Sequence, residues 1–138
     1  MMETDMAHNP SLIELHEIRL TSGEMDTIGL SDIDIAKFCT FDPKLPLAIT
    51  EALAYKNELI NRLGKDVFLQ NEKELVKDLQ EDYVNFYAPA TVNPYVALSA
   101  RGPWIVTSHG AVVHDNGGYG LLGAGHGPNR VIDAMSKN

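Results

Sequence analysis

A glycine-rich stretch near the carboxyl end is the feature that most limits what this chain can fold into. Between Gly110 and Gly127, seven of 18 residues are glycine. Such a stretch has few side chains to bury, so it cannot build a core of its own, and glycine allows backbone conformations and close approaches that other residues resist. We therefore predict a loop whose backbone lies close to another group, supported by a core that the rest of the chain provides.

Charged residues are distributed unevenly along the 138 residues. Residues 1–82 contain 17 acidic and 8 basic side chains, whereas residues 83–138 contain 2 and 3. This difference predicts two segments, an acidic helical one at residues 1–88 and a nearly uncharged one at residues 89–138. The chain has a net charge of −8 and no basic stripe, so we expect neither nucleic acid nor a membrane as a partner.

Several protein classes are excluded by simple counts. The chain is 44% apolar and 22% charged, which is typical of a globular protein, and no apolar run approaches the roughly 18 to 20 residues that span a bilayer. The first residues are acidic, where a signal peptide would be basic. Cys39 is the one cysteine and cannot form an internal disulfide, so we expect a cytoplasmic location and a structural, buried thiol.

Apolar periodicity and capping residues predict the helices of the acidic segment. Ser31, followed three residues later by an aspartate, favours the start of a short helix. Residues 47–63 have an apolar side that only Lys56 interrupts, and Gly64 stands where a C-terminal cap belongs. Residues 12–20 fit neither the helical nor the strand period, and their type is left open.

A further helix is predicted to start at Asn71 and to end before Pro89. Its apolar stripe would contain Leu75, Val76, Leu79, Tyr83, Phe86 and Tyr87. After Pro89 the pattern changes to strand formers, at residues 104–107 and 111–114, and Gly110 between them predicts the turn of a β-hairpin. A last helix is expected from Pro128, so the predicted fold class is α+β.

Two motifs suggest chemistry but also have simpler explanations. Residues 118–123 match G-x-G-x-x-G, yet the next helix starts too late for a dinucleotide site. His109, His114, Asp115 and His126 could be a metal cluster, but we expect His109 to be solvated at its turn and His114 and Asp115 to point apart. We therefore predict no metal site and no catalytic residue in this chain.

The carboxyl-terminal segment resembles the N-terminal region of class III pyridoxal-phosphate aminotransferases, over about residues 83–138. The residues that carry the resemblance are, in order, Asn93-Pro94-Tyr95, Arg101-Gly102-Pro103-Trp104-Ile105-Val106, Gly110, Asp115, Gly125-His126-Gly127-Pro128 and Val131-Ile132-Asp133-Ala134-Met135. In that family an Arg-Gly pair opens a hairpin, an Asp follows its second strand, and a Gly-rich loop leads through a Gly-His element to a helix. Residues 1–82 match nothing in the family pattern and would be an added segment.

The resemblance implies a fold type I homodimer whose active site lies at the subunit interface. Residues 89–138 would be the start of the small domain, with its arm, hairpin, Gly-rich loop and first helix. By position, Tyr95 and Tyr119 match aromatic residues that contact substrate, although packing at the dimer interface is an equal alternative. The backbone of Gly117, Gly118 and Gly120 would lie near the cofactor, pyridoxal 5'-phosphate.

The same resemblance implies that this chain alone is inactive. Such enzymes need a lysine that forms a Schiff base with the cofactor, and the family places it well beyond residue 138. We therefore expect the N-terminal part of a transaminase, which would move an amino group between an amino acid or amine and a 2-oxo acid. The alternative is a small acidic helical module that binds another protein and has no catalytic role.

Overall fold

The computed structural model describes residues 8–84, 88, 93–116 and 123–137. Within these ranges the chain has six helices and one three-stranded antiparallel sheet, so the predicted α+β class is confirmed. The helices are α1 (Pro10–Leu20), α2 (Asp32–Phe41), α3 (Lys44–Leu63), α4 (Asp66–Leu69), α5 (Glu72–Gln80) and α6 (Asn129–Ser136). None of the helices in the described ranges is long and apolar enough to cross a membrane.

Side-chain caps start the first two helices. The Asn9 side chain accepts hydrogen bonds from backbone N–H groups in the first turn of α1, and Pro10 occupies the first helical position, where no N–H is needed. The segment whose type the sequence left open is therefore a helix. The Ser31 side chain accepts from the N–H of Asp34 at the start of α2, which confirms the predicted cap.

The long helix α3 lies at the centre of the molecule. It begins three residues earlier than predicted, where the Asp42 side chain accepts from the N–H of Lys44 at 3.0 Å. It ends at Gly64, whose φ of +88° makes it the C-terminal cap that the sequence predicted. Its buried side consists of Leu45, Ala48, Ile49, Ala52 and Lys56.

Helix α5 begins as predicted but ends early. The Asn71 side chain caps it by accepting from the N–H of Lys73, yet the helix stops at Gln80 rather than continuing towards Pro89. Among the described residues the end of this helix has little to pack against, since Leu79 is half exposed and the Tyr83 side chain is 78% exposed. The remaining residues of the predicted stripe, Phe86 and Tyr87, lie outside the described residues.

The sheet has the order β1-β2-β3, with β1 at Ala97–Arg101, β2 at Trp104–Thr107 and β3 at Val112–His114. Gly110, with φ +84°, lies in the turn between β2 and β3, so the predicted hairpin is confirmed. Strand β1 was not predicted, since its alanine, serine and arginine are not strand formers. It forms because β2 pairs with it in antiparallel fashion, with a shift of register between Ala97 and Ser99.

A hydrophobic core joins helices α1, α2 and α3 to the sheet. Its buried members are Leu15, Ile18, Ile35, Leu45, Ala48, Ile49, Ala52, Trp104, Val106 and Val112. Helix α3 packs against α1 and α2 on one side and against β1 and β2 on the other. The core therefore draws on residues from both sides of position 88, and the Ser99 hydroxyl donates to the carbonyl of Ala48 across it.

Candidate functional site

The motif residues from the carboxyl-terminal segment meet at one place beside the sheet. Gly102 and His126, 24 positions apart in the sequence, form an antiparallel bridge: the Gly102 N–H donates to the His126 carbonyl at 2.9 Å, and the His126 N–H donates back at 2.8 Å. The backbones approach so closely that a Cβ on Gly125 would lie 2.8 Å from the Gly102 Cα. The predicted close approach of a glycine-rich backbone is therefore real at this point, and its partner is the turn between β1 and β2.

Side chains reinforce this junction. The Nε2 atom of His126 lies 2.8 Å from Oδ2 of Asp115, and the Asp115 N–H donates to the Pro103 carbonyl at 2.7 Å. Arg101 donates from Nη1 to the Gly127 carbonyl at 3.2 Å, while its Nη2 contacts a carboxylate oxygen of Glu51 at 2.6 Å. The contact with Glu51 anchors the junction to helix α3.

Two neighbouring cavities open at the junction. The first, about 280 Å³, is lined by Lys44, Gly102, Pro103, Asp115 and residues 123–126. The second, about 480 Å³, shares Lys44 and His126 with it and extends to Arg130 and Val131 of helix α6. No residue of α6 is buried, and Val131, Ile132 and Met135 are exposed among its apolar side chains.

Of the five residues that the resemblance marks as site residues, one can be placed. Tyr95 lines a third cavity, of about 530 Å³, together with residues from the amino-terminal segment. Burial raises the pKa of its hydroxyl, and the nearby negative charge of Asp115 adds to the effect. Tyr119, Gly117, Gly118 and Gly120 lie outside the described residues.

The turn of the β2–β3 hairpin is buried, so the prediction that His109 is solvated was wrong. His109 is 1% exposed: its Nδ1 lies 3.0 Å from the Ser108 hydroxyl and its Nε2 lies 2.9 Å from the Gln70 carbonyl. In an isolated hairpin the turn would be exposed to water. Here helix α1 and the segment before α5 cover it. The carbonyl can only accept, so Nε2 donates to it.

Lys56 is a buried functional group that the sequence did not mark as one. Its Nζ donates to the Ile18 carbonyl at 2.8 Å, to the Ser108 carbonyl at 3.0 Å and to the Ser22 hydroxyl. The ring centroid of Phe68 is 5.1 Å from the same nitrogen. Burial lowers the pKa of Lys56 from 10.5 to about 8. The one signal in the sequence was a cation at an apolar position of an amphipathic helix.

The candidate metal residues lie apart. His109 faces the segment before α5, the ring of His114 packs edge-on against Trp104 at 4.9 Å, and His126 pairs with Asp115. His114 and Asp115 thus point apart, as predicted. In the part of the chain that the structure describes, no three His, Cys, Asp or Glu side chains come together as metal ligands. Cys39 packs against the core, and burial raises the pKa of its thiol.

The described residues do not make a pyridoxal-phosphate site by themselves. A Schiff-base lysine must combine a lowered pKa with an open cavity. Lys56 has the lowered pKa but lines none of the three cavities, and all its ammonium donors are used by protein acceptors. Lys44 and Lys73 line cavities but are exposed, and the Asp26 carboxylate raises the pKa of Lys73 further.

Comparison with known proteins gives no relative. No family model matches the chain, and neither does any curated protein or solved structure.

Proposed function

We propose that this chain is the N-terminal part of a class III pyridoxal-phosphate aminotransferase. The parent enzyme transfers an amino group between an amino acid or amine and a 2-oxo acid, acts as a homodimer of fold type I, and works in the cytoplasm. The cofactor supplies the electron sink for this chemistry. The lysine that binds it comes from a part of the parent that follows these 138 residues.

One observation supports the proposal above the others. The three sequence elements behind the resemblance are the Arg-Gly pair, the Asp after the hairpin, and the Gly-His-Gly-Pro run. They are separated in the sequence, yet His126 contacts both Gly102 and Asp115 at the junction, and the Asp115 N–H donates to the carbonyl of Pro103, the residue after Gly102. The contacts show that the separated motifs belong to one structural unit of this chain, which supports reading them together rather than as unrelated short matches.

In the proposed enzyme this segment positions the glycine-rich loop. The Asp115–His126 pair and the backbone bridge at Gly102 hold the end of the loop against the sheet. Arg101 joins that end to helix α3 through Glu51. Tyr95 and Tyr119 contact the substrate, and the backbone of Gly117, Gly118 and Gly120 lies near the cofactor.

The test is to determine the coding sequence beyond the codon for Asn138 and to express the longer product. We expect several hundred further codons and a product that binds pyridoxal phosphate and transfers an amino group from an amine to a 2-oxo acid. Replacing the candidate Schiff-base lysine with alanine should abolish transfer, whereas Lys137→Ala should leave it unchanged. A stop codon directly after Asn138, or a long product without transfer activity, would overturn the proposal.

The alternative, an independent acidic helical module that binds another protein, has less support. Such a module would end near Pro89, but the core on which it depends includes Trp104, Val106 and Val112 from the sheet. Limited proteolysis separates the two hypotheses. A stable fragment that ends near Pro89 would favour the module, and its absence favours the transaminase segment.

A further inference from the structure

Asn116 is the one asparagine of this chain that precedes a glycine. The backbone nitrogen after an asparagine can attack the side-chain carbonyl carbon and close a succinimide ring. A side chain on the following residue crowds this attack, and glycine has none. Asn9 and Asn93 precede proline, whose nitrogen has no proton to lose. The sequence therefore makes Asn116 the asparagine with the least hindered neighbouring nitrogen.

The structure leaves the Asn116 side chain free to react. Asn116 is exposed and lies outside the described helices and strands, directly after Asp115, whose N–H donates to the Pro103 carbonyl. Within the described ranges, no hydrogen bond holds the Asn116 amide. The side chain can therefore rotate towards the next peptide nitrogen without breaking a contact of its own.

Other asparagines of the described ranges are engaged in local structure. Asn57 and Asn61 lie inside helix α3, where the N–H of the following residue belongs to the helical hydrogen-bond ladder. The side chain of Asn71 caps helix α5, and the side-chain oxygen of Asn129 accepts from Arg101 at 3.3 Å. In each case either the side chain or the neighbouring nitrogen is already occupied.

We propose that Asn116 is a site of spontaneous covalent modification, at which asparagine converts to a mixture of aspartate and isoaspartate. The peptide nitrogen after Asn116 gives up its proton and bonds to Cγ, while the Cγ–Nδ2 bond breaks and the nitrogen leaves as ammonia. Water then opens the succinimide ring. Attack of water at Cγ gives aspartate, and attack at the main-chain carbonyl carbon gives isoaspartate. The reaction needs no cofactor, so it is independent of the proposed transaminase function.

The modification falls where the glycine-rich loop leaves the sheet. Asp115, the preceding residue, contacts Nε2 of His126 at 2.8 Å and thereby holds the far end of the loop. Both products place a new negative charge beside the Asp115 carboxylate, and like charges at this distance repel. Isoaspartate also lengthens the backbone by a methylene group between Asp115 and the loop. We therefore expect the modified chain to hold the junction less firmly.

Ageing of the full 138-residue chain in mildly alkaline buffer over several weeks tests the site. Peptide mass spectrometry locates the deamidation, and methylation by a protein isoaspartate methyltransferase detects isoaspartate. We expect deamidation at Asn116 to be at least roughly tenfold faster than at any other asparagine, and slower in mildly acidic buffer because the peptide nitrogen must lose a proton. Faster deamidation elsewhere, or no isoaspartate at Asn116, would overturn the proposal.

Two glycine variants separate the effect of the neighbouring residue from a general change in the loop. Gly117→Ala should slow the reaction at least roughly tenfold, because the added methyl group crowds the attack. Gly123→Ala is the matched control, since Gly123 is exposed and has nothing within 4 Å of its Cβ position. An unchanged rate in Gly117→Ala, or an equal slowing in the control, would overturn the proposal.

Unfolding in guanidinium chloride tests the part of the proposal that rests on the structure. Because Asn116 is exposed and unbonded, its rate of deamidation should be nearly the same in the folded and the unfolded chain. Protection of Asn116 by folding of roughly tenfold or more would contradict this assignment.

Hydrogen exchange measures the consequence for the junction. The N–H groups of Gly102 and His126, which bond to each other's carbonyls, should exchange faster in the aged chain than in the fresh chain. The Asn116→Ser variant, aged in parallel, should show no such change. Equal exchange in the fresh and aged parent would show that the modification leaves the junction intact, against the proposal.

Discussion

Nζ of Lys56 lies 3.0 Å from the carbonyl oxygen of Ser108, 52 residues further along the chain. The same nitrogen reaches the Ile18 carbonyl near the end of α1, so one side chain joins two helices to the hairpin turn. A buried ammonium is expensive even when all its donors are used, because burial removes its hydration. The contact therefore makes stability depend on pH.

The first prediction concerns that dependence. The pKa of Lys56 is about 8 in the folded state, whereas a lysine in water has a pKa of 10.5. Between pH 8 and pH 10.5 the unfolded chain therefore holds the Lys56 proton more tightly than the folded chain does. Stability should therefore rise as pH increases from about 8 to 10.5, by at most ~3 kcal/mol for this group. Urea unfolding followed by the fluorescence of Trp104 measures it, and subtracting the Lys56→Met curve isolates Lys56 from the other titrating groups. A difference between the two proteins that stays constant over this range would contradict the prediction.

The second prediction concerns the hairpin turn. Gly110 has φ +84°, and a Cβ there would lie 2.6 Å from Cγ of Arg19 and 3.4 Å from Cγ2 of Ile18. Gly110→Ala should therefore lower the free energy of unfolding by roughly 2 to 4 kcal/mol.

Gly64→Ala is the matched control for this substitution. Gly64 has a similar φ of +88° but nothing within 4 Å of its Cβ position, so only backbone strain applies, roughly 1 to 3 kcal/mol. If both variants lost the same free energy of unfolding, the contact between helix α1 and the turn would contribute nothing to stability, which would contradict the prediction.

The third prediction concerns the link between the site junction and helix α3. The hydrogen bonds from Arg101 hold the pKa of Glu51 below its usual value, so their stabilisation is present above pH 4.5 and is lost as pH falls through the folded-state pKa. Both side chains are partly exposed, so the effect should be modest and weaker in high salt.

Acid unfolding of the Arg101→Met variant measures this contribution. The variant should lose stability relative to the parent at pH 7, and the difference should shrink as the pH falls below 4.5. Glu58→Gln is a suitable control, because Glu58 pairs with Arg62 on the exposed side of the same helix. A parent–variant difference that is the same at pH 7 and at low pH would count against the Glu51 contact.

The features that could be predicted from the sequence are those fixed by neighbouring residues. Ser31 and Asn71 cap helices, Gly64 ends one and Gly110 turns the hairpin because each signal acts within a few positions. Strand β1 escaped prediction because its conformation depends on β2 and not on its own side chains. The α+β class followed from the local signals alone.

The burial of polar groups could not be predicted, because it is decided by segments far away in the sequence. As polar residues, His109 and Lys56 would be expected in water from the sequence. In the structure, helix α1 and the segment before α5 cover them. The contact of His126 with Asp115 has the same origin, since the bridge at Gly102 brings the two together. The order of the motifs gave no indication that Gly102, Asp115 and His126 lie at one place in the fold.

The central position of α3 has a consequence for synthesis on the ribosome. Its apolar side needs β1 and β2, yet Thr107 is translated 44 residues after Leu63. At the usual pace of translation this interval lasts roughly 2 to 9 seconds. During that time the nascent helix exposes apolar surface that the finished protein buries, and such surface makes a growing chain prone to aggregation.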